Sequence, residues 1–199
     1  MELIVGTDST WSLRALICGQ LAGMVFDIRV IDLTACDYQE QLLAISPSGL
    51  VPALKSGDLS IHDSLAITEY FNECSNGLLY PSCEHERALA RSLCAELHAG
   101  FMQLRANCPF TLENVKPLGN MQDYIYREVL RVESIFENAQ LPFMFGSAGA
   151  VDAFYAILAF RLNTYGIVLN DRAGEYQKSL LDWPILQSAI ELAKSWKNN

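Results

Sequence analysis

A chain of 199 residues has room for one large domain or two small ones, with bulk enough to bury a real core. Its residues are 51% apolar and 19% charged, the balance of an ordinary globular protein rather than a disordered one. The formal charge of −9, with no basic cluster to offset it, excludes the cationic face that nucleic-acid binding requires and keeps the surface soluble.

The first eighty residues alternate strand and helix signals. Leu3-Ile4-Val5 reads as a short buried strand that stops at Gly6. Ser9, Thr10 and Ser12 are cap-forming residues ahead of Leu13, Leu16, Ile17 and Leu21, which recur at helical spacing until Gly23. Residues 26–31 form a second strand pattern, rich in β-branched side chains, and residues 38–45 a second helix pattern. Ser46-Pro47-Ser48-Gly49 is a turn. Residues 51–55 and 59–61 are two short strands joined by the hairpin signal Ser56-Gly57-Asp58. Asp63-Ser64 then caps a helix running through Ala66, Ile67, Tyr70 and Phe71. The order is β-α-β-α-β-β-α.

After a linker at Leu78-Leu79-Tyr80-Pro81 the strand signals stop. Residues 85–105 read as one long helix with Leu89, Leu93, Leu97 and Phe101 in register. Residues 121–136 give a second, with Tyr124, Val129, Val132 and Ile135 inward. Residues 151–165 are apolar nearly all round, as in a helix at the centre of a bundle. Residues 175–181 and 184–196 complete the set. The predicted domains are therefore a mixed α/β one over residues 1–77 and an all-helical one over residues 84–199.

Two further exclusions concern location and metal. The N-terminus has no basic n-region and reaches Asp8 too soon for a signal peptide, and the longest apolar run, residues 153–160, is far short of the ~20 needed to cross a bilayer. A cytoplasmic protein with no membrane association is the expectation. The six cysteines (Cys18, Cys36, Cys74, Cys83, Cys94 and Cys108) contain no C-x-x-C pair and are expected reduced. Cys94 and His98 share a helix face, but His85 would sit about 13 Å from Cys94 on one helix. No metal is expected.

Three segments resemble the glutathione transferase family. Ser9-Thr10-Trp11-Ser12-Leu13-Arg14 is similar to the serine motif of bacterial theta- and zeta-like members. Ser46-Pro47-Ser48-Gly49-Leu50-Val51-Pro52-Ala53-Leu54, followed by Ile61-His62-Asp63-Ser64, resembles the cis-proline segment and the acidic-Ser pair opening the third helix. Phe145-Gly146 through Val151-Asp152-Ala153 resembles the folding motif of the central helix, and Arg161-Leu162-Asn163-Thr164-Tyr165-Gly166 continues it. The resemblance implies a thioredoxin-like N-terminal domain, an all-α C-terminal domain, glutathione as co-substrate and a homodimer.

The chemistry assigns roles to these residues. Glutathione must lose its thiol proton to attack an electrophile, and a free thiol is only a few per cent ionised at neutral pH. A hydroxyl donor and a helix N-terminus both stabilise the thiolate. Ser9 is the first choice for that donor, Ser12 the second and Thr10 a weaker third; plain helix capping is the competing role. The resemblance puts Thr10, Trp11 and Leu50 beside the peptide. It also exposes the backbone N–H and C=O of Val51, ahead of a cis Pro52, to the cysteinyl part. Asp63 and Ser64 would hold the γ-glutamyl end, the one by charge and the other at a helix start.

Three departures qualify the match. Leu50 stands where several classes place a polar or basic residue near the glycyl carboxylate. Gly149 stands where the central helix normally has a Ser or Thr cap. Trp11 replaces the cysteine of the zeta isomerase motif, and its second arginine is missing near Leu16, against a maleylacetoacetate isomerase. The expected reaction is conjugation of glutathione to a small, largely apolar electrophile near Phe101, Met102 and Arg105. Alternatives are isomerisation, peroxide reduction or dehalogenation, or a non-enzymatic member that binds a partner protein.

Overall fold

The computed structural model describes residues 1–198, which divide into two compact units, 1–79 together with 188 onward, and 80–187. The expected helical domain ended at Asn199, which lies outside the described residues. In the first unit the elements run β1 (Glu2–Gly6), α1 (Thr10–Leu21), β2 (Asp27–Ile31), α2 (Tyr38–Leu43), β3 (Ala53–Ser56), β4 (Leu59–His62) and α3 (Ser64–Cys74). This is the order that turn and cap residues predict.

The four strands form one sheet in the order β2-β1-β3-β4. β1 pairs parallel with β2, Leu3 opposite Ile28, and antiparallel with β3, Leu3 opposite Leu54. A βαβ crossover through α1 is what permits the parallel pair, and the Gly57-containing turn closes the β3–β4 hairpin. Ile4, Ile31, Leu42, Ile45 and Ala53 make a core between the sheet and α2. Elsewhere in the unit Phe26 stacks on Phe71 of α3 with ring centroids 5.9 Å apart. Farther along the chain, Trp196 is buried and Lys197 pairs with Asp8 at 2.9 Å, so the end of the chain completes the first unit.

The second unit is helical: α4 (Glu84–Ala99), α5 (Met102–Asn107), α6 (Asp123–Phe136), α7 (Ala150–Thr164), α8 (Asp171–Leu181) and the start of α9 (Pro184–Ser195). α7 is its centre, buried along almost its whole length. Tyr155 on α7 donates to the Leu93 carbonyl of α4 at 3.1 Å, and Phe136 meets both Tyr155 and Tyr176 edge-on. The start of α7 is pinned by Asp152. Its carboxylate accepts from the Met144 N–H at 2.8 Å, the Gly149 N–H at 2.9 Å and the Tyr176 hydroxyl at 2.6 Å. Gly149 has no side chain to return the bond, so only half of a capping box exists, as its position in the sequence implies. Burial raises the Asp152 carboxyl above its usual range, and the three donors pull it back down.

Periodicity misjudged three helices. Residues 85–105 are two helices rather than one. Gly100 is extended (φ −102°, ψ −165°) and Phe101 is left-handed (φ 57°). A Cβ at Gly100 would lie 2.7 Å from the Glu96 carbonyl oxygen, so glycine is needed for this close turn. The open ends at the break are satisfied from a distance. Arg105 donates to the Leu97 and His98 carbonyls, and Glu128 accepts from the N–H groups of Gln103 and Leu104 at 3.1 and 2.8 Å. On α6, Tyr124 is 46% exposed rather than inward, and the buried stripe runs Ile125, Val129, Val132, Phe136. α8 begins at Asp171, four residues before the apolar signal.

Candidate functional site

The turn between β1 and α1 carries the serine cluster, and it separates its hydroxyls. Ser9 is the N-cap of α1, and its Oγ accepts from the Ser12 N–H at 3.2 Å. Ser12 is fully buried, and its Oγ accepts from the Gly6 N–H at 3.1 Å, tying the helix start to the end of β1. Thr10 is buried as well. Ser9 instead borders a cleft of about 340 Å³, together with Trp11, Leu50 and Val51. A hydroxyl that accepts from a backbone N–H still has its own hydrogen to donate. Ser9 is therefore the cluster member with both access and a donor to offer.

Val51-Pro52 is a cis peptide, as expected. Val51 precedes β3, outside the ladder, and packs closely on β1: a Cβ at Gly6 would come within 2.8 Å of its side chain. Trp11 is held by Arg14, whose guanidinium sits 5.7 Å from the ring centroid. Leu50 is 64% exposed on the cleft rim. Next to Ser9, the Asp8 carboxylate would oppose a developing anion; its pairing with Lys197 offsets that charge.

The start of α3 lies where the hairpin delivers it. Ala53 is opposite His62, so the chain leaves β4 at Asp63 level with Pro52. Asp63 has φ +75° and ψ 132°, a conformation that side-chain-bearing residues rarely adopt. Its carboxylate caps α3 by accepting from the Leu65 N–H at 2.7 Å. Ser64 is fully buried, and its Oγ is sealed from solvent without a hydrogen-bond partner among the described residues. A buried hydroxyl left unpaired costs about 1–3 kcal/mol, which a bound ligand can recover.

The remaining expected residues belong to the second unit. Phe101 is buried as the left-handed residue of the helix break, and Arg105 is tied to the carbonyls there. Met102 is 59% exposed. The cleft residues that the sequence reading did not assign to the site include Leu33, Tyr38 and Gln39. Their only signal was position, just past β2 and at the opening of α2. All six cysteines are free; Cys18, wholly buried, has its thiol pushed up to about 12. Among the described residues no group of three acidic, cysteine or histidine side chains is placed to share a metal ion, and no helix is long and apolar enough to cross a membrane.

A thioredoxin-like sheet with a cis-proline ahead of β3, followed by a helical unit around a buried central helix, is the glutathione transferase fold. Residues 8–74, within the first unit, match the sequence model of the glutathione S-transferase N-terminal domain. A glutathione transferase homolog from Burkholderia GL BGR1, solved with bound glutathione, is 21% identical; 98% of this chain aligns with 97% of that one at a TM-score of 0.73. The Tau class enzyme of mango, Mangifera indica, is 18% identical over 99% and 97% of the two chains, with a TM-score of 0.75. A maleylacetoacetate isomerase from Methylobacterium extorquens AM1, bound to malonate and glutathione, is 23% identical over 97% of each chain, with a TM-score of 0.74. The likeness spans several classes and fixes none of them.

Proposed function

We propose that the protein is a glutathione transferase that adds the thiolate of bound glutathione to a small, largely apolar electrophile. The observation that carries this reading is Ser9: a hydroxyl at the N-terminus of a twelve-residue helix, on the wall of a cleft it shares with Val51. The backbone of Val51 would pair with the cysteinyl residue as an added strand, which brings the sulfur to the serine turn. Asp63 would take the α-ammonium of the γ-glutamyl group, and the unpaired Ser64 hydroxyl its carboxylate. Trp11, Leu50 and Thr10 would border the peptide, the last only through its backbone.

In the reaction the thiol proton leaves to solvent. The Ser9 O–H and the positive end of α1 then stabilise the sulfur anion, and the sulfur lone pair forms the new bond to carbon; with an aryl halide the carbon–halogen bond breaks in turn and the halide ion leaves to solvent. Ser9 keeps its own proton throughout. Of the three residues expected near the electrophile, Met102 has apolar surface to offer, whereas Phe101 and Arg105 hold the helix break. The protein is further read as a cytoplasmic homodimer, a state that sedimentation at micromolar concentration tests directly. Trp11 in place of the zeta cysteine, and Leu16 or a neighbour in place of its second arginine, favour conjugation over isomerisation.

Calorimetric titration with glutathione, followed by turnover of a small aryl halide, tests the assignment. Binding with turnover supports it. Binding without turnover of aryl halides, epoxides or peroxides leaves a glutathione-binding protein that is not a transferase. No binding defeats the reading, and exposed Leu50, in place of a polar anchor, then favours a protein-binding role.

A further inference from the structure

Among the described residues the second unit holds a buried cation with no counter-ion. Arg161 on α7 is only 7% exposed. Its Nη1 donates to the Cys108 carbonyl at 2.9 Å, the one hydrogen bond the guanidinium makes. The Nε and Nη2 groups, which together form the side-on edge of the fork, have no acceptor and are not sealed from solvent. Arg131 in the same unit shows what that edge does when a carboxylate is present: its Nε and Nη2 donate to the two oxygens of Glu96 at 2.7 and 2.8 Å. No such carboxylate meets Arg161.

The surroundings make the gap costly. The Arg105 guanidinium lies within electrostatic reach and repels Arg161; burial and that repulsion draw Arg161 down to about 10. Glu128 acts on Arg105 and bonds to the start of α5, and does not offset Arg161. The other neighbours are the Cys108 thiol and the Tyr165 hydroxyl, both pushed upward by burial and so neutral at physiological pH. Tyr165 itself donates to the Pro109 carbonyl at 2.9 Å. Both guanidiniums are thus fixed by backbone carbonyls, and among the described residues no carboxylate bonds to Arg161. A buried charge of this kind is retained at a cost of several kcal/mol unless an anion completes it.

We propose that Arg161, backed by Arg105, is a binding site for the carboxylate of a small organic anion, taken side-on by the Nε and Nη2 edge. A planar carboxylate matches that edge with two parallel N–H···O bonds. A monovalent group also suits a protein of net charge −9 better than a multiply charged phosphate. The site lies wholly within the second unit and does not depend on the glutathione assignment of the first.

The test is a titration of the whole protein with sodium acetate and sodium succinate, against sodium chloride and inorganic phosphate at matched ionic strength. It is read by the Nε–H resonance of Arg161 and by melting temperature. The Arg161 resonance, identified by its loss in Arg161→Lys, should shift saturably with the carboxylates and not with chloride. Arg161→Lys keeps the charge but loses the fork, and should weaken the carboxylate response in melting temperature at least tenfold in midpoint. A response equal to that of chloride overturns the site, as does an unchanged midpoint in Arg161→Lys. Phosphate binding as tightly as succinate overturns the carboxylate assignment. Should Arg161→Lys fail to fold, the resonance is assigned from the wild-type spectrum alone, and saturation there decides the question.

Discussion

At the start of α7, Asp152 accepts three hydrogen bonds and sits inside a closed set of partners. At the start of α3, Ser64 presents a hydroxyl that is equally buried and has no partner among the described residues. The start of α1 is intermediate: Ser12 is bound into the domain, while Ser9 keeps a hydrogen free beside the cleft. All three use cap residues that look alike in a sequence. A cap whose polar groups are consumed internally stabilises the fold, whereas one with an unfilled group is poised for a ligand. Which kind a cap is depends on groups far along the chain, such as Tyr176 for Asp152.

The comparison is broken most forcefully at the closed end. Asp152→Ala should lower stability by about 3–5 kcal/mol, because it strands the Met144 and Gly149 N–H groups and the Tyr176 hydroxyl together. Denaturant unfolding measures it, and a loss under about 1 kcal/mol would mean the closed cap is no more than a surface cap. Ser9→Ala should act on chemistry instead. Glutathione binding should stay nearly intact while the bound thiol's pKa rises by about one to two units, the loss of one donor to a charged group. Since the anionic form is the one disfavoured, turnover at neutral pH should fall about ten- to a hundredfold and recover partly as the buffer is made alkaline. Ser12→Ala is the control: a thiolate absorbance titration should show its pKa unmoved, with stability lowered by about 1–3 kcal/mol through the stranded Gly6 N–H. A shift in Ser12→Ala alone would reverse the roles of the two serines.

Asp63→Ala sharpens the contrast at α3. It should weaken glutathione binding by about 1.5–3 kcal/mol, more than the roughly 1 kcal/mol expected for a lost cap. Unchanged affinity with a lower melting temperature would make Asp63 a cap only. The smallest loss belongs to Ser64→Ala. Removing an unpaired buried hydroxyl should leave stability unchanged or raise it, by up to about 1–3 kcal/mol, yet weaken glutathione binding by about 0.5–1.5 kcal/mol in calorimetry. If stability falls and affinity does not, the hydroxyl has a structural partner and the open cap is an illusion.

The first unit was legible because its signals are local. Gly6, Gly23, Gly49 and the Ser56-Gly57-Asp58 turn lie at or between the ends of elements, and the dipeptides Val51-Pro52 and Asp63-Ser64 mark the candidate site. The break at Gly100 was not legible, since Leu93, Leu97 and Phe101 keep helical register straight through it. What stabilises the break comes from Arg105 and Glu128, and no periodicity registers a side chain that bonds the backbone of another turn. For the same reason Ser9 and Ser12 were distinguishable only as first and second choice. Their difference is one of direction, and the donors that set it are the Gly6 and Ser12 N–H groups. Tyr38 and Gln39 reach the cleft from a helix whose face a six-residue segment cannot specify.

The ion pair between Lys197 and Asp8 has a consequence during synthesis. The sheet, α1 and α3 leave the ribosome first, but the segment that completes their unit begins at Ser188, after all of Tyr80–Gln187. At about 5–20 residues per second the interval is on the order of 5–20 s. Over that time the nascent serine turn carries an Asp8 without its ammonium partner, and the surface destined for Trp196 stays open. Protection of the nascent first unit from proteolysis should therefore rise in a second step once residues 188–198 emerge.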